Sequence, residues 1–391
     1  MNQATRDFID SHLNDDVHTL SFLAEKYPDV DMQQAIRQIT GKQKTRLKIP
    51  TFFACEDLLY PAKLSLEQSS SELTAKHKSA FCKGTTLIDL TGGFGVDSYF
   101  FSFGFEKVVY VEKQAELCTL VRHNFQALNR RNMDIIHDTA EFFLEKTDKV
   151  DWIYLDPARR TETGKKAVFL SDCEPNVAEL SDKLLSKSDH VMIKLSPMID
   201  IAILTKELKE ISEIQIVAVE NEVKEVIAVL HKQTTGRIQI QTTNYSKNSA
   251  AERFDFFLSD ESSAEVAFAG FPQTYLYEPN AAIMKSGAFK SVSEHFSIEK
   301  LHTNSHLYTS TILIHDFPGR IFKVEKTYDF SKGSLKEFHS EVQKANLSTR
   351  NFPLHVSELR KKLKLAEGGD VFIFATTLNN GKKVLIHTEK V

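Results

Sequence analysis

The chain has 391 residues, too many for one ordinary domain and enough to bury a full core, so two to three units are expected. Apolar residues make up 41% and charged residues 26%, which excludes a disordered chain, and no apolar run reaches the ~18–20 residues that span a bilayer. The net charge of −4 is uneven: residues 331–391 carry eleven Lys/Arg against six Asp/Glu, a net of +5, while the preceding residues carry 38 against 47, a net of −9. That basic tail leaves room for an anionic partner.

The chain opens with acids and no apolar stretch, so a secretory signal is not expected and the cytoplasm is the expected location. Cys55, Cys82, Cys118 and Cys173 are scattered without metal-ligand spacing, so reduced thiols and no metal site are expected. Residues 1–80 read as helical, from apolar positions such as Phe8, Ile9, His12 and Leu13. The basic run Lys42-Gln-Lys-Thr-Arg-Leu-Lys48 reads as a solvated helix end or a nucleic-acid contact. Ser69 and Glu72 have the spacing of a capping box. From Thr85 short β-rich runs alternate with helical ones, the pattern of a parallel α/β sheet. The strands expected are 86–90, 107–112, 133–137, 151–155, 190–195 and 214–220. Residues 224–231 and 237–243 read as closing strands that could be antiparallel, and Ser259-Asp-Glu-Ser-Ser263 as a linker. Beyond it a helix from Ala281 and a strand pair, 307–315 with 320–326, joined at Asp316-Phe-Pro-Gly319, make a small α+β unit. The tail reads as helices 334–344 and 356–365, then a hairpin of 371–377 and 383–387 around Asn379-Asn-Gly381.

Asp89-Leu-Thr-Gly-Gly-Phe-Gly95 follows a β-branched strand and precedes a helix near Asp97. In that context Gly92, Gly93 and Gly95 let the backbone approach a ligand closely. Seventeen residues on, a strand ends in Glu112, suited to the two hydroxyls of a ribose, and the next ends at Asp138-Thr139, suited to an adenine amino group. The turn is not G-x-G-x-x-G, and the acid before its glycines suits the cationic methionine end of S-adenosylmethionine better than a pyrophosphate.

The fourth strand runs into Asp156-Pro-Ala-Arg-Arg160, at the sheet edge beside the cofactor turn. Asp156-Pro157 resembles the D/N-P-P-aromatic motif of methyltransferases acting on base nitrogens, where positioning is most of the catalysis. Ala158 replaces the second proline, and Arg159 stands where an aromatic would stack on the base. The turn also resembles the D-P-P-R of carbon-5 uridine methyltransferases. The fifth strand, however, reads Met192-Ile-Lys-Leu-Ser-Pro197 and carries no cysteine nucleophile. Lys194 is a charged residue on that otherwise apolar strand.

Together Gln68–Ala75, Asp89–Asp97, Leu155–Arg160, Val219-Glu-Asn-Glu-Val-Lys224, Tyr277-Glu-Pro-Asn-Ala-Ala-Ile283 and Thr349-Arg-Asn-Phe-Pro353 resemble a bacterial family of class I methyltransferases with a ferredoxin-like insert and a C-terminal THUMP-like domain. The resemblance implies a Rossmann-like seven-stranded sheet and four parts: an N-terminal helical region (1–80), the methyltransferase domain (81–260), a ferredoxin-like domain (261–330) and a THUMP-like domain (331–391). It implies S-adenosylmethionine as cofactor, held by Thr74, Asp89, Gly92, Gly93, Gly95, Asp97, Glu112, Asp138 and Thr139. Asp156 and Pro157 would then be catalytic, with a base nitrogen of tRNA or rRNA as acceptor. Arg159, Arg160, Lys194, Arg350, Arg360, Lys361 and Lys362 would bind that RNA. A protein or small-molecule acceptor, and a non-catalytic RNA-binding module, remain as alternatives.

Overall fold

The computed structural model describes residues 1–159, 170–233, 235–247 and 249–391. They form two compact units, Met1–Ile211 with Ile227–Thr234, and Ser212–Val226 with Thr235–Val391.

The first unit begins with α1 (Gln3–Ser11), α2 (Val17–Leu20), α3 (Met32–Lys48), α4 (Pro50–Phe53), α5 (Lys63–Gln68) and α6 (Glu72–Phe81). Asn2 caps α1 and Asp31 caps α3, each accepting a backbone N–H of the first turn. Phe8, Ile9, Leu20, Ala35 and Ile39 close a small core. Ile49, Phe52, Tyr60 and Leu66 join Phe94, Tyr99, Tyr110 and Phe125 in a larger one, so these helices pack onto the α/β part of their unit. The capping box expected at Ser69 and Glu72 is absent. Ser69 closes α5, its hydroxyl donating to the Leu66 carbonyl, and Ser71 instead caps α6. Glu72 accepts the Thr51 N–H at 2.7 Å.

Next come β1 (Gly84–Asp89), α7 (Val96–Phe101), β2 (Phe105–Glu112), α8 (Ala115–Ala127), β3 (Met133–His137), α9 (Ala140–Lys146), β4 (Val150–Leu155), α10 (Val177–Lys187), β5 (Ser188–Leu195) and α11 (Ile201–Glu207). β6 (Ile211–Val219) and β7 (Glu222–His231) follow, and β7 contributes residues to both units. In the first unit the strand order is β7-β5-β4-β1-β2-β3, parallel from β5 to β3. The order reverses between β1 and β4, and ligands of such sheets bind at that switch point, beyond the strands' carboxyl ends.

In the second unit β8 (Gln239–Tyr245) and β9 (Glu252–Phe257) extend the order as β9-β8-β6-β7. β8 pairs with β6 in parallel and with β9 antiparallel, so the antiparallel option for the strand at 237–243 holds on one side only. The chain turns back at Glu220 and Asn221, both at positive φ, to enter β7 and turns back again before β8, so β8 runs in the direction of β6. The expected linker at 259–263 is helix α12 (Leu258–Ser263), fixed because Glu261 accepts the N–H groups of Lys290 and Ser291.

A seven-stranded sheet follows: β10 (Tyr275–Pro279), β11 (Glu299–Lys300), β12 (Tyr308–Ser310), β13 (Gly319–Asp329), β14 (Lys344–Arg350), β15 (Ala366–Thr377) and β16 (Lys383–Lys390). Its order is β11-β12-β10-β13-β16-β15-β14, with helices α13 (Ala281–Ser286), α14 (Ser291–Phe296), α15 (Lys332–Glu341) and α16 (Val356–Leu363). The strands expected at 307–315 and 320–326 do not pair with each other. β10 lies between them, antiparallel to both, and a Cβ at Gly319 would lie 2.2 Å from the Glu278 carbonyl of β10. The helix expected to reach residue 344 stops at Glu341, and β14 was not anticipated because only Ala345 and Leu347 of its seven residues are buried. The hairpin around Gly381 forms as expected. Among the described residues no helix is long and apolar enough to cross a membrane.

Candidate active site

The glycine turn leaves β1 at Asp89, whose carboxylate is 1% exposed and accepts the Thr91 N–H at 3.0 Å and the Ser98 hydroxyl. Burial pushes its pKa up to about 7, against those hydrogen bonds and with help from Asp97 and Asp156. A Cβ at Gly92 would lie 2.1 Å from the Tyr110 ring, and Gly95 sits at φ 79° beside Phe125, so neither position has room for a side chain. Tyr110 donates to the Gly93 carbonyl at 2.6 Å, while Glu112 accepts the Gly93 N–H at 3.0 Å and the Gln114 N–H at 2.9 Å. The acid at the end of β2 is thus folded back onto the turn it follows in sequence.

Asp97, in the first turn of α7, is the centre of a buried polar cluster. Its Oδ2 accepts the hydroxyls of Ser70 and Tyr154, both at 2.8 Å, and its Oδ1 faces Lys78 Nζ at 3.3 Å. Lys78 is fully buried and also donates to the Ser70 hydroxyl. Burial alone would raise the Asp97 pKa, but Lys78, then Lys194, and the hydroxyls of Ser70 and Tyr154 outweigh it and hold the carboxylate below its ordinary range. Oδ1 carries no hydrogen bond among the described residues. Thr74 lies buried on α6, bonded to the Ser71 carbonyl.

Asp156 follows β4, and its backbone N–H donates to the Thr91 hydroxyl at 2.6 Å, which ties this turn to the glycine turn. Its carboxylate Oδ2 pairs with Lys194 of β5. Asp138 accepts the Thr139 N–H and pairs with Lys146, and Thr139 caps α9. Thus Thr74, Asp89, Gly92, Gly93, Gly95, Asp97, Glu112, Asp138, Thr139, Asp156, Pro157 and Lys194 all belong to the first unit.

Arg159 lies in a two-residue strand opposite Cys173, and Arg160 falls outside the described residues. Arg350, Arg360, Lys361 and Lys362 belong to the second unit. Arg350 is bound to Glu278 Oε1 at 2.6 Å, a carboxylate that also holds Arg320, so it knits β14 to β10. Arg360 donates to the carbonyls of Ala345 and Ala366, while Lys361 and Lys362 are exposed on α16. Among the described residues no group of three or more His, Cys, Asp or Glu is placed to hold a metal ion.

Family models match a ferredoxin-like domain at residues 275–318, a THUMP domain-like region at 319–390 and the family described as "Conserved hypothetical protein 95" at 72–213. A crystal structure of a "putative methyltransferase" from Porphyromonas gingivalis W83 is 32% identical, covers 99% of this chain and 98% of its own, and superposes with a TM-score of 0.89. The chain belongs to this methyltransferase family. An rRNA methylase from Streptococcus thermophilus is 15% identical, with coverage of 41% of this chain and 95% of its own and a TM-score of 0.30. No curated protein matches the chain.

Within this methyltransferase-family chain, sequence reasoning missed Lys78, Ser98, Tyr154 and Thr91 as parts of the site. Lys78 follows Thr74 by one helical turn on the buried face of α6, a spacing that could have flagged it. Tyr154 looked like an ordinary core residue of an apolar strand.

Proposed function

We propose that the chain transfers a methyl group from S-adenosylmethionine to tRNA or rRNA in the cytoplasm, with its four sequence parts as domains. The observation that carries this reading is the hydrogen bond from the Asp156 backbone to Thr91, which ties the turn bearing Asp156 to the glycine turn. The donor set fits the cofactor: acids at the ends of β1 and β2 and just past β3, a turn without room for a side chain at Gly92 or Gly95, and a buried Asp97 Oδ1 that carries no hydrogen bond among the described residues. S-adenosylmethionine, when bound, supplies the methyl on its sulfonium. In this reading Asp89 balances its ammonium, Glu112 takes the ribose hydroxyls, Asp138 and Thr139 meet the adenine, and Gly92, Gly93 and Gly95 admit the ligand. Thr74 and Asp97 close the methionine end. Asp156 and Pro157 orient the acceptor, for which the Asp-Pro motif alone indicates a base nitrogen. Arg159, Arg160, Arg360, Lys361 and Lys362 contact phosphates. Arg350 has a lesser share, because Glu278 already holds its guanidinium.

The test is a comparison of modified nucleosides in tRNA and rRNA from cells with and without the gene, together with label from methyl-tritiated cofactor. One methylated nucleoside should disappear, and RNA from the deletion cells should take up label from the purified protein. Label entering only protein or a small molecule would remove the RNA acceptor.

Asp89 gives a second check. Its carboxyl is largely neutral below pH 7 and ionised above, so affinity for S-adenosylhomocysteine should rise about tenfold between pH 6 and 8. The raised pKa also means that the ligand-free fold loses stability as pH climbs from the ordinary carboxylate range to about 7. Calorimetric titration across that range, with Asp89→Asn as control, measures both the slope and the proton released. A flat profile would remove Asp89 from the ammonium site.

A further inference from the structure

Asp156 does not act alone at the end of β4. Leu155 and Ile193 are register partners of β4 and β5, so Asp156 and Lys194 fall side by side, and the lysine ammonium pairs with Asp156 Oδ2. Lys194 is 14% exposed and Asp156 30%, so the pair is sheltered yet reaches the surface of the site. A carboxylate by itself suits an amine acceptor: the nitrogen gains positive charge as it takes the methyl, and a nearby anion relieves that charge. An ammonium at the same place opposes the developing cation and favours an atom that becomes more negative as its proton leaves. Positive charge nearby is not confined to Lys194. Lys48 of α3 donates to the Leu66 and Glu67 carbonyls, and its pKa is lowered to about 8, first by burial and then by Lys194.

We infer that the methyl acceptor is the 2′-hydroxyl of a ribose in RNA, and that Lys194 is the side chain that fits the site to it. This rests on the reading that the acceptor is RNA, and it replaces the base nitrogen indicated by the Asp-Pro motif alone. The hydroxyl oxygen bonds to the methyl carbon as the carbon–sulfur bond breaks, with that bond's electron pair staying on sulfur. The hydroxyl proton passes to the Asp156 carboxylate and from there to solvent, while the Lys194 ammonium donates to the oxygen as its negative charge grows.

The experiment uses the full-length protein, methyl-tritiated S-adenosylmethionine and RNA from cells lacking the gene, followed by alkaline hydrolysis. Alkali needs a free 2′-hydroxyl to cleave RNA, so label should appear in resistant dinucleotides. Label in mononucleotides would mean a base is methylated and would overturn the inference while leaving the RNA reading intact. Label absent from RNA would overturn both. In the same assay Lys194→Met should slow single-turnover transfer by about 100-fold, with affinity for S-adenosylhomocysteine unchanged within about twofold, and Lys194→Arg should recover part of the rate. Adding Lys194→Met to Asp156→Asn should change little further, because the two side chains act as one unit. Wild-type rates in Lys194→Met would remove Lys194 from the reaction, and full additivity in the double variant would overturn its action as one unit with Asp156.

Discussion

Replacing Asp97 by alanine should lower the stability of the fold by about 3–5 kcal/mol, the usual range for removing one partner of a buried ion pair. The variant takes a carboxylate away from the fully buried Lys78 ammonium and strips the hydroxyls of Ser70 and Tyr154 of their acceptor. Because the Asp97 pKa is held down in the fold, its contribution is complete above the ordinary value of 3.8 and is lost as pH falls through the depressed one. Urea unfolding at neutral pH and again below pH 4 measures both, and the gap between wild type and variant should narrow in acid. A loss under 1 kcal/mol at neutral pH would mean that the cluster is not a structural centre. The double variant Asp97→Leu with Lys78→Met should recover much of the loss, since replacing both members of a buried pair by apolar residues is often neutral.

Asp156→Ala should cut methyl transfer by about 10²- to 10³-fold, while S-adenosylhomocysteine binds within about twofold of wild type. The alanine keeps the backbone N–H that donates to Thr91, so the turn and the cofactor side should survive. Asp156→Asn separates two roles. An asparagine still accepts a hydrogen bond but neither carries charge nor takes up a proton, so it would keep part of the rate with an amine acceptor and little of it with a hydroxyl. Single-turnover transfer measured for both variants beside calorimetric binding decides the matter, and unchanged transfer in Asp156→Ala would place the reaction elsewhere.

The parallel sheet was legible in the sequence because its strands are buried on both faces and read as continuous apolar runs. Val108–Val111, Ile153–Leu155 and Val191–Ile193 are of this kind, and each is bounded by polar or glycine-rich turns. Strand ends are where such sheets place their chemistry, so Asp89, Glu112 and Asp156 could be picked out by position. The second unit was less legible. β14 has a weak alternation and one neighbour, and β12 and β13 are adjacent in sequence but separated in the sheet by β10, whose close approach at Gly319 leaves no sequence period to detect.

The sequence by itself determined the fold class and the position of the glycine turn, because both depend on local periodicity and on residues that follow one another along the chain. Only the tertiary structure decided which charges meet. Lys78 and Asp97 lie on different helices, and Lys194 reaches Asp156 from the neighbouring strand. A buried charge is held by whatever partner the packing brings within a few ångströms, and that partner carries no signature in sequence spacing. The same packing folds Glu112 back onto Gly93 and gives Arg350 to Glu278. The glycine turn therefore spoke for the donor from the sequence alone, whereas the atom that receives the methyl depends on an ion pair that only the fold assembles.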